Sequence, residues 1–396
     1  MGSLRIGPLA KKLIAKTLEK NRLTYGPYTI QLENDFAKIH GRKYGLFTVS
    51  GTAALQVALH ALKNIHGWKD GDEVIVPSIT FVATSNIVLQ NSLKPIFVDV
   101  DPETYNIDPA KIEAKITPRT RCIIPVHLFG LPAKMDVIEA IAKKHHLKVI
   151  VDSCETQLIS YKGKSIGMWG DIVCFSTYAA HLLVTGVGGF AVTENPRYAT
   201  KMRSLMNHGR DAIYYNIDQD DHLTTKKSVF SMANRRFSFI DIGYSYRLTE
   251  LEAAIGIEGL RALPRTVSRR QKNAAYLSKN LAQFSKYLQL PIIPKGYEHA
   301  FMMFPIVIKK NSTFTRDQLI TFLESQGVET RYMMPLLNQP AYIKLFGNLE
   351  KKYPVAEHIN HNGFYIGCHQ FLEKHDLEYL VQSFEKFFKN KKIICR

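Results

Sequence analysis

From about residue 45 to residue 195 the chain alternates between two hydrophobic rhythms. Short, almost wholly apolar runs, "DEVIVPS", "KPIFVDV", "CIIPVHLFG", "KVIVD", "DIVCFST" and "GGFAVTE", read as strands. Between them, "AALQVALHALKNI", "ATSNIVLQNS" and "MDVIEAIAKKHH" repeat apolar residues at helical spacing, as helices with one buried face do. Strands that are apolar on both faces have to be covered on both faces. The alternation therefore predicts an α/β fold around a parallel or mostly parallel sheet. Such sheets bind ligands beyond the carboxyl ends of their strands. Those ends carry Thr80, Phe81, His127, Asp152 and Ser176.

The second half has a different pattern. "RLTELEAAIGIEGLRAL" leading into "RRQKNAAYLSKNLAQF" predicts a long bridging helix, interrupted near Pro264. After it come a strand, "AFMMFPIVI", and two amphipathic helices within "TRDQLITFLESQGVETRYM" and "DLEYLVQSFEKFFKN". The expected organisation is a large domain over residues 1–258 and a smaller α+β domain over residues 259–396. At 396 residues and 45% hydrophobic, the chain can bury cores for both. The N-terminal "GPLAKKLIAKTLEKN" is broken by Lys11, Lys12 and Lys16, so it reads as a surface helix rather than a signal peptide. No apolar run approaches the ~20 residues that span a bilayer, and a cytoplasmic protein without a membrane partner is expected.

Charge and cysteines change the picture little. A net charge of +17, with basic clusters in "ITPRTR", "RALPRTVSRRQKN" and "KNKKIICR", raises nucleic acid as a partner. No aromatic-interleaved stripe, helix-turn-helix signature or zinc knuckle accompanies it. A basic surface that attracts small anionic substrates is the expectation, and nucleic acid is not. Cys122, Cys154, Cys174, Cys368 and Cys395 form no CxxC pair, which suits reduced thiols and gives no metal or iron–sulfur spacing.

Four features carry candidate chemistry. "SGTAAL" places Gly51 and Thr52 at the start of a helix, where free N–H groups and the helix dipole favour a phosphate; a plain N-cap has the same look. Ser176 is a second phosphate ligand or a strand-end hydroxyl bonded to backbone. Asp152 follows four apolar residues and needs a charged or hydrogen-bonding partner, either a pyridinium nitrogen or the next turn. Phe81 either stacks on a ring or fills core.

Together these pieces resemble the DegT/DnrJ/EryC1/StrS family of sugar aminotransferases, pyridoxal-phosphate enzymes of fold type I. The matching stretches run almost end to end, among them "RLTYGPYTIQLENDFA", "VSGTAAL", "ITFVATSNIV", "PIFVDVDPETYNID", "VIVDSCE", "GKSIGMWGDIVCFST", "GYSYRLTELEAAIG" and "VETRYMMPLLNQPAY". The resemblance implies a large domain with a mostly parallel seven-stranded sheet flanked by helices. It also implies a homodimer whose active sites take residues from both subunits. By resemblance Asp152 is the pyridine-nitrogen carboxylate and Phe81 the stacking aromatic. Gly51, Thr52 and Ser176 grip the phosphate, and Glu155 is a further cofactor contact. Ser245 supplies the neighbour's phosphate contact, although it stands where the family usually has asparagine. Arg247 and Arg331 are implied as substrate contacts.

The family's cofactor-binding lysine falls on His181, the sixth residue counted from Ser176 in "STYAAH". An imidazole cannot hold the cofactor covalently, but it can still accept a proton. A branch of the family, the 3-dehydratases of nucleotide-linked 4-keto-6-deoxy sugars, carries histidine here. One group in that branch needs an iron–sulfur cluster, and too few cysteines follow Cys174 to hold one. The chain is more similar to the cluster-free group, typified by GDP-4-keto-6-deoxymannose 3-dehydratase. That group regenerates pyridoxamine phosphate from L-glutamate, releasing 2-oxoglutarate. Glu155, where the aminotransferases usually place glutamine, points the same way, whereas "AAHLLVTGVGG" lacks the second histidine expected after His181. The expectation is therefore a dehydratase with His181 and Asp152 as catalytic residues and pyridoxal or pyridoxamine phosphate held non-covalently. The alternatives are a nucleotide-sugar aminotransferase in which His181 replaces the lysine, and a non-catalytic sugar-nucleotide binder.

Overall fold

The computed structural model describes residues 5–211, 230, 237–310 and 312–394, the last five of these as backbone only. Cys395 lies outside the described residues. Two surface helices, α1 (Pro8–Glu19) and α2 (Pro27–Ile39), precede the first strand, β1 (Tyr44–Thr48). There follow α3 (Gly51–His66), β2 (Glu73–Pro77), α4 (Val82–Gln90), β3 (Lys94–Val98), β4 (Thr120–Ile123), α5 (Met135–Lys144) and β5 (Lys148–Asp152). A small two-stranded pair, β6 (Ser160–Tyr161) and β7 (Lys164–Ser165), leads to β8 (Ile172–Ser176), β9 (Gly189–Thr193) and α6 (Pro196–Met206).

Seven of these strands form one sheet in the order β1-β9-β8-β5-β4-β2-β3. All its pairings are parallel except those of β9, which runs antiparallel to β1 and β8. The apolar runs sort by alternation, as a two-faced sheet requires. Val149, Val151, Val173, Phe175, Phe190 and Val192 face one core. Ile150, Ile172, Cys174 and Ala191 face the other. Behind the end of β8, Phe36 stacks on Phe190 at 3.9 Å and meets Phe175 edge-on at 5.1 Å, which leaves little freedom in the strand ends above them. β1 escapes the sequence pattern because "YGLFT" is a short edge strand paired only with β9. Gly45 within it is a close-approach residue, since a Cβ there would stand 2.5 Å from the Glu33 carbonyl oxygen.

The bridging helix, α7 (Glu250–Leu281), corrects one expectation, because it continues through Pro264 without a break. Proline removes one backbone hydrogen bond. Leu260, Leu263 and Val267, buried around it, hold the flanking turns in place. Ala253 to Val267 pack under the large sheet, whereas Ala274, Leu277 and Leu281 pack with the small one. A capping box at Thr249 and Glu252 starts α7. The Glu258 carboxylate on it accepts the Ala10 N–H and so anchors α1.

The C-terminal part forms a four-stranded antiparallel sheet, ordered β10-β11-β13-β12. Its strands are β10 (Leu288–Gln289), β11 (Phe304–Ile308), β12 (Thr330–Tyr332) and β13 (Gly363–Ile366). Its helices are α8 (Arg316–Ser325), α9 (Pro340–Phe346), α10 (Pro354–Asn362) and α11 (Lys374–Ile394). Of these strands only β11 stands out in the sequence as an apolar run. Among the described residues no helix is long and apolar enough to cross a membrane, and no group of three His, Cys, Asp or Glu is placed to hold a metal ion.

Candidate active site

At the carboxyl ends of the parallel strands lies a cleft of about 460 Å³, walled by both parts of the molecule. It brings together Gly51, Thr52, Phe81, Asp152, Glu155, Ser176 and His181. Its first corner is the N-terminus of α3. Ser50 caps that helix by accepting the Ala53 N–H at 3.0 Å. The Gly51 and Thr52 N–H groups, in the first turn, have no intrahelical acceptor and are free for an anion. A Cβ on Gly51 would stand 2.7 Å from Cys154 Sγ and 2.9 Å from Ser176 Cβ, so only glycine lets α3 approach the end of β8 this closely.

Asp152 ends β5 and is buried. Its two oxygens accept from Thr84 Oγ1 at 2.8 Å and from the Cys154 N–H at 3.1 Å. Thr84 in turn shares a 2.7 Å hydrogen bond with Thr80. Burial raises the Asp152 pKa, and the hydrogen bonds from Cys154 and Thr84 oppose it. Among the described residues no cation pairs with this carboxylate, so the site has room for a positive partner. Phe81, 57% exposed at the head of α4, presents its ring to the cleft rather than to the core. Glu155 accepts the Phe129 N–H at 2.9 Å, and burial pushes its pKa up to about 8.

His181 sits on the loop joining β8 to β9. The loop is closed at its base: the Thr185 N–H donates to the Thr177 carbonyl at 2.9 Å, and the two threonine hydroxyls meet at 2.6 Å. Gln157, fully buried and not singled out in the sequence, ties both ends. It donates to the Ser176 carbonyl at 2.9 Å and accepts the Leu183 N–H at 3.1 Å. The His181 backbone N–H donates to the Tyr178 carbonyl, while its Nδ1 is buried without a hydrogen-bond partner. Burial, with a smaller push from the Arg270 charge, lowers its pKa to about 4. The ring is therefore neutral at physiological pH, with one ring nitrogen unprotonated. Among the described residues no lysine lines the cleft.

The opposite wall, Met302, Met303, Met334 and Tyr365, was not legible in the sequence. Four sequence candidates, Ser245, Arg247, Arg331 and His127, stand elsewhere in the single chain. Arg247 is exposed and donates to Asn207 Oδ1 at 2.8 Å and to Ser245 Oγ at 3.1 Å. Arg331, also exposed, pairs with Glu329; only its register partner across β13, Tyr365, reaches the cleft. His127 is buried, with Nδ1 accepting the Ala133 N–H at 3.1 Å, and does not line the cleft.

Comparisons with known proteins agree with this geometry. The DegT/DnrJ/EryC1/StrS aminotransferase family matches residues 5–385. The chain is 33% identical to a GDP-perosamine synthase from Caulobacter vibrioides, over 91% of this chain and 90% of that protein. It is 31% identical to a GDP-4-keto-6-deoxy-D-mannose 3-dehydratase from Escherichia coli O55:H7, over 94% of this chain and 95% of that one. Its fold superposes with a TM-score of 0.86 on an E. coli GDP-4-keto-6-deoxy-D-mannose 3-dehydratase solved with bound hydrated PLP, at 29% identity, over 96% of this chain and 98% of that one. The chain belongs to the DegT/DnrJ/EryC1/StrS aminotransferase family, with histidine at position 181.

Proposed function

We propose that the protein is a pyridoxal-phosphate-dependent C-3 dehydratase of a nucleotide-linked 4-keto-6-deoxy sugar. Its class, a pyridoxal-phosphate enzyme acting on nucleotide sugars, is that of its relatives. The cleft fits the cofactor. The Gly51 and Thr52 amides and the Ser176 hydroxyl would hold the phosphate, Asp152 would keep a proton on the ring nitrogen, and Phe81 would cover a ring face. In its amine form the cofactor supplies the electron sink that lets a hydroxyl beside a ketone carbon leave.

The observation that carries the reading is His181. It lines the cleft as a half-buried, neutral imidazole, and among the described residues no lysine lines it. His181 takes a proton at a ring nitrogen but, unlike a lysine, does not tether the cofactor. The reaction then ends in loss of water rather than in an amino sugar. Glu155, protonated near neutral pH, can donate a hydrogen bond to the cofactor as glutamine would. L-Glutamate would restore the amine form and leave as 2-oxoglutarate, its nitrogen departing as ammonia when the deoxygenated keto sugar is released. The aminotransferase reading draws on the likeness to a GDP-perosamine synthase but needs a lysine, and among the described residues none lines this cleft.

The active unit is a homodimer. Phe237, Phe239, Ile240 and Ile242 are exposed in the single chain, Ile242 at 91%, an apolar strip that a second copy would cover. It lies just before Ser245 and Arg247, which would reach the partner's cleft. The test of function is incubation with pyridoxal phosphate, L-glutamate and a panel of nucleotide-linked 4-keto-6-deoxy sugars. A 3-deoxy-4-keto sugar lighter than the substrate by one oxygen, with 2-oxoglutarate and ammonia released, is expected; a stable amino sugar would assign the aminotransferase instead.

A further inference from the structure

One turn of α7 reaches across to the cleft's apolar wall. Arg270 is 1% exposed, and among the described residues no carboxylate pairs with it. Its Nη1 donates to the Phe301 carbonyl at 3.2 Å and the Met302 carbonyl at 2.6 Å, and its Nε donates to Gln370 Oε1 at 3.0 Å. Its Nη2 is buried without a partner. On the same turn, Gln271 holds the His299 carbonyl at 3.1 Å and Asn273 the His369 carbonyl at 2.8 Å.

The segment so held is under backbone strain. Phe301 has φ +49°, in the left-handed region that non-glycine residues avoid. Its ring stacks on His299 at 3.8 Å, and its N–H donates to His299 Nδ1 at 2.9 Å. The neighbouring Ala300 N–H donates to the Gly130 carbonyl at 2.8 Å. A Cβ at Gly130 would stand 2.7 Å from the Phe301 nitrogen, so the two segments touch backbone to backbone. Gly130 follows Phe129, whose N–H binds Glu155. The turn that projects Met302 and Met303 into the cleft is thus fixed from one side by the Glu155 loop and from the other by Arg270.

We propose that Arg270 is a positioning residue of the active site: its unpaired buried guanidinium pins the strained Phe301–Met303 turn as one wall of the cleft and keeps a fixed positive charge beside it. A charge buried without a counter-ion is costly for stability alone, and such groups cluster at functional sites. The titratable groups sharing the cleft with His181 are Asp152, Cys154, Glu155, Tyr178 and Tyr365. Arg270 adds the positive charge that helps hold His181 neutral.

The test uses the full-length protein labelled at methionine methyl carbons and histidine ring carbons, with Arg270→Gln and Arg270→Lys. Assignments come from Met302→Leu, Met303→Leu and His181→Asn. In Arg270→Gln, the Met302 and Met303 signals should lose their dispersion and the His181 titration should move upward, as removal of a nearby like charge requires. Arg270→Lys keeps the charge but cannot hold two carbonyls and Gln370 together. It should disturb the methionines and leave the His181 titration where it was. These readouts need neither sugar nor cofactor, so their failure is distinct from failure of the dehydratase reading. Only the kinetic consequence rests on that reading: KM for the keto sugar should rise about tenfold in both variants, with kcat changed less. The proposal is overturned if Arg270→Gln leaves the methionine signals unchanged, or if its His181 titrates as in the parent. If Arg270→Gln does not fold, unperturbed Met302 and Met303 signals in Arg270→Lys overturn it equally.

Discussion

On its large-sheet side the cleft is made of groups that end strands or begin a helix: Asp152 closes β5, Ser176 closes β8, and Gly51 opens α3. On its other side stand Met302, Met303, Met334 and Tyr365, brought from more distant parts of the chain, the Met302 carbonyl held there by Arg270. The first wall is polar, and each group on it is fixed by its own strand or helix. The second is apolar, and its Met302–Met303 turn depends on α7 and the Glu155 loop for its place. Chemistry therefore belongs to the first wall, and shaping the site and excluding water to the second. Substitutions on the first should remove turnover, whereas those on the second should chiefly alter affinity.

The largest effect is expected at Asp152. Asp152→Asn keeps the hydrogen bonds from Thr84 and Cys154 roughly in shape but removes the charge. Both amine uptake from glutamate and sugar turnover should fall on the order of 10³-fold, measured as separate half-reactions. A parent-like rate in either would move the chemistry off this wall.

Gly51→Ala comes next. The added methyl cannot fit against Ser176 and Cys154 without prying α3 from β8. Pyridoxal phosphate affinity should drop at least about tenfold, and the melting temperature should fall with it, because the methyl displaces α3 at the phosphate corner. Equal affinity would place the phosphate elsewhere.

Glu155 joins the two walls, and its substitution should act through pH. Its pKa is about 8 in the folded protein, above the ordinary carboxyl value, so the folded state binds the extra proton. Stability from this group is therefore lost as pH rises from about 4.5 toward 8. Glu155→Gln, which mimics the protonated form, should melt higher than the parent at pH 8.5 and match it near pH 5. The cleft histidine acts in the opposite sense. His181, near 4, resists protonation when folded, so stability is lost as pH falls below about 6.5.

The smallest effect is expected from Met334→Leu on the apolar wall. This near-isosteric change should alter KM by only a few-fold and leave kcat in place. A large loss of kcat would show that the second wall takes part in chemistry.

How much of this was written in the sequence follows the same division. Asp152, Ser176 and the Gly51–Thr52 pair are legible because a strand's end and a helix's start are local events, marked by an apolar run giving way to a polar residue. Phe81 is legible only through its neighbours, since one aromatic in an apolar stretch looks like core. Gln157 and Arg270 leave no local mark. Their roles arise from partners 19 to 100 residues away, at Ser176, Leu183, Met302 and Gln370. The break expected at Pro264 fails for a related reason, because buried neighbours on both sides outweigh one lost hydrogen bond.

The central claim is that His181 replaces a lysine as proton acceptor and thereby turns the reaction toward loss of water. The most direct measurement is the rate of water loss from the keto sugar by His181→Asn, with cofactor and sugar binding measured alongside. Binding should persist, and elimination should slow by ~10²–10⁴-fold, the contribution of a positioned base. Dehydration at close to the parent rate would contradict the account and reduce His181 to a space-filling neighbour of the cofactor.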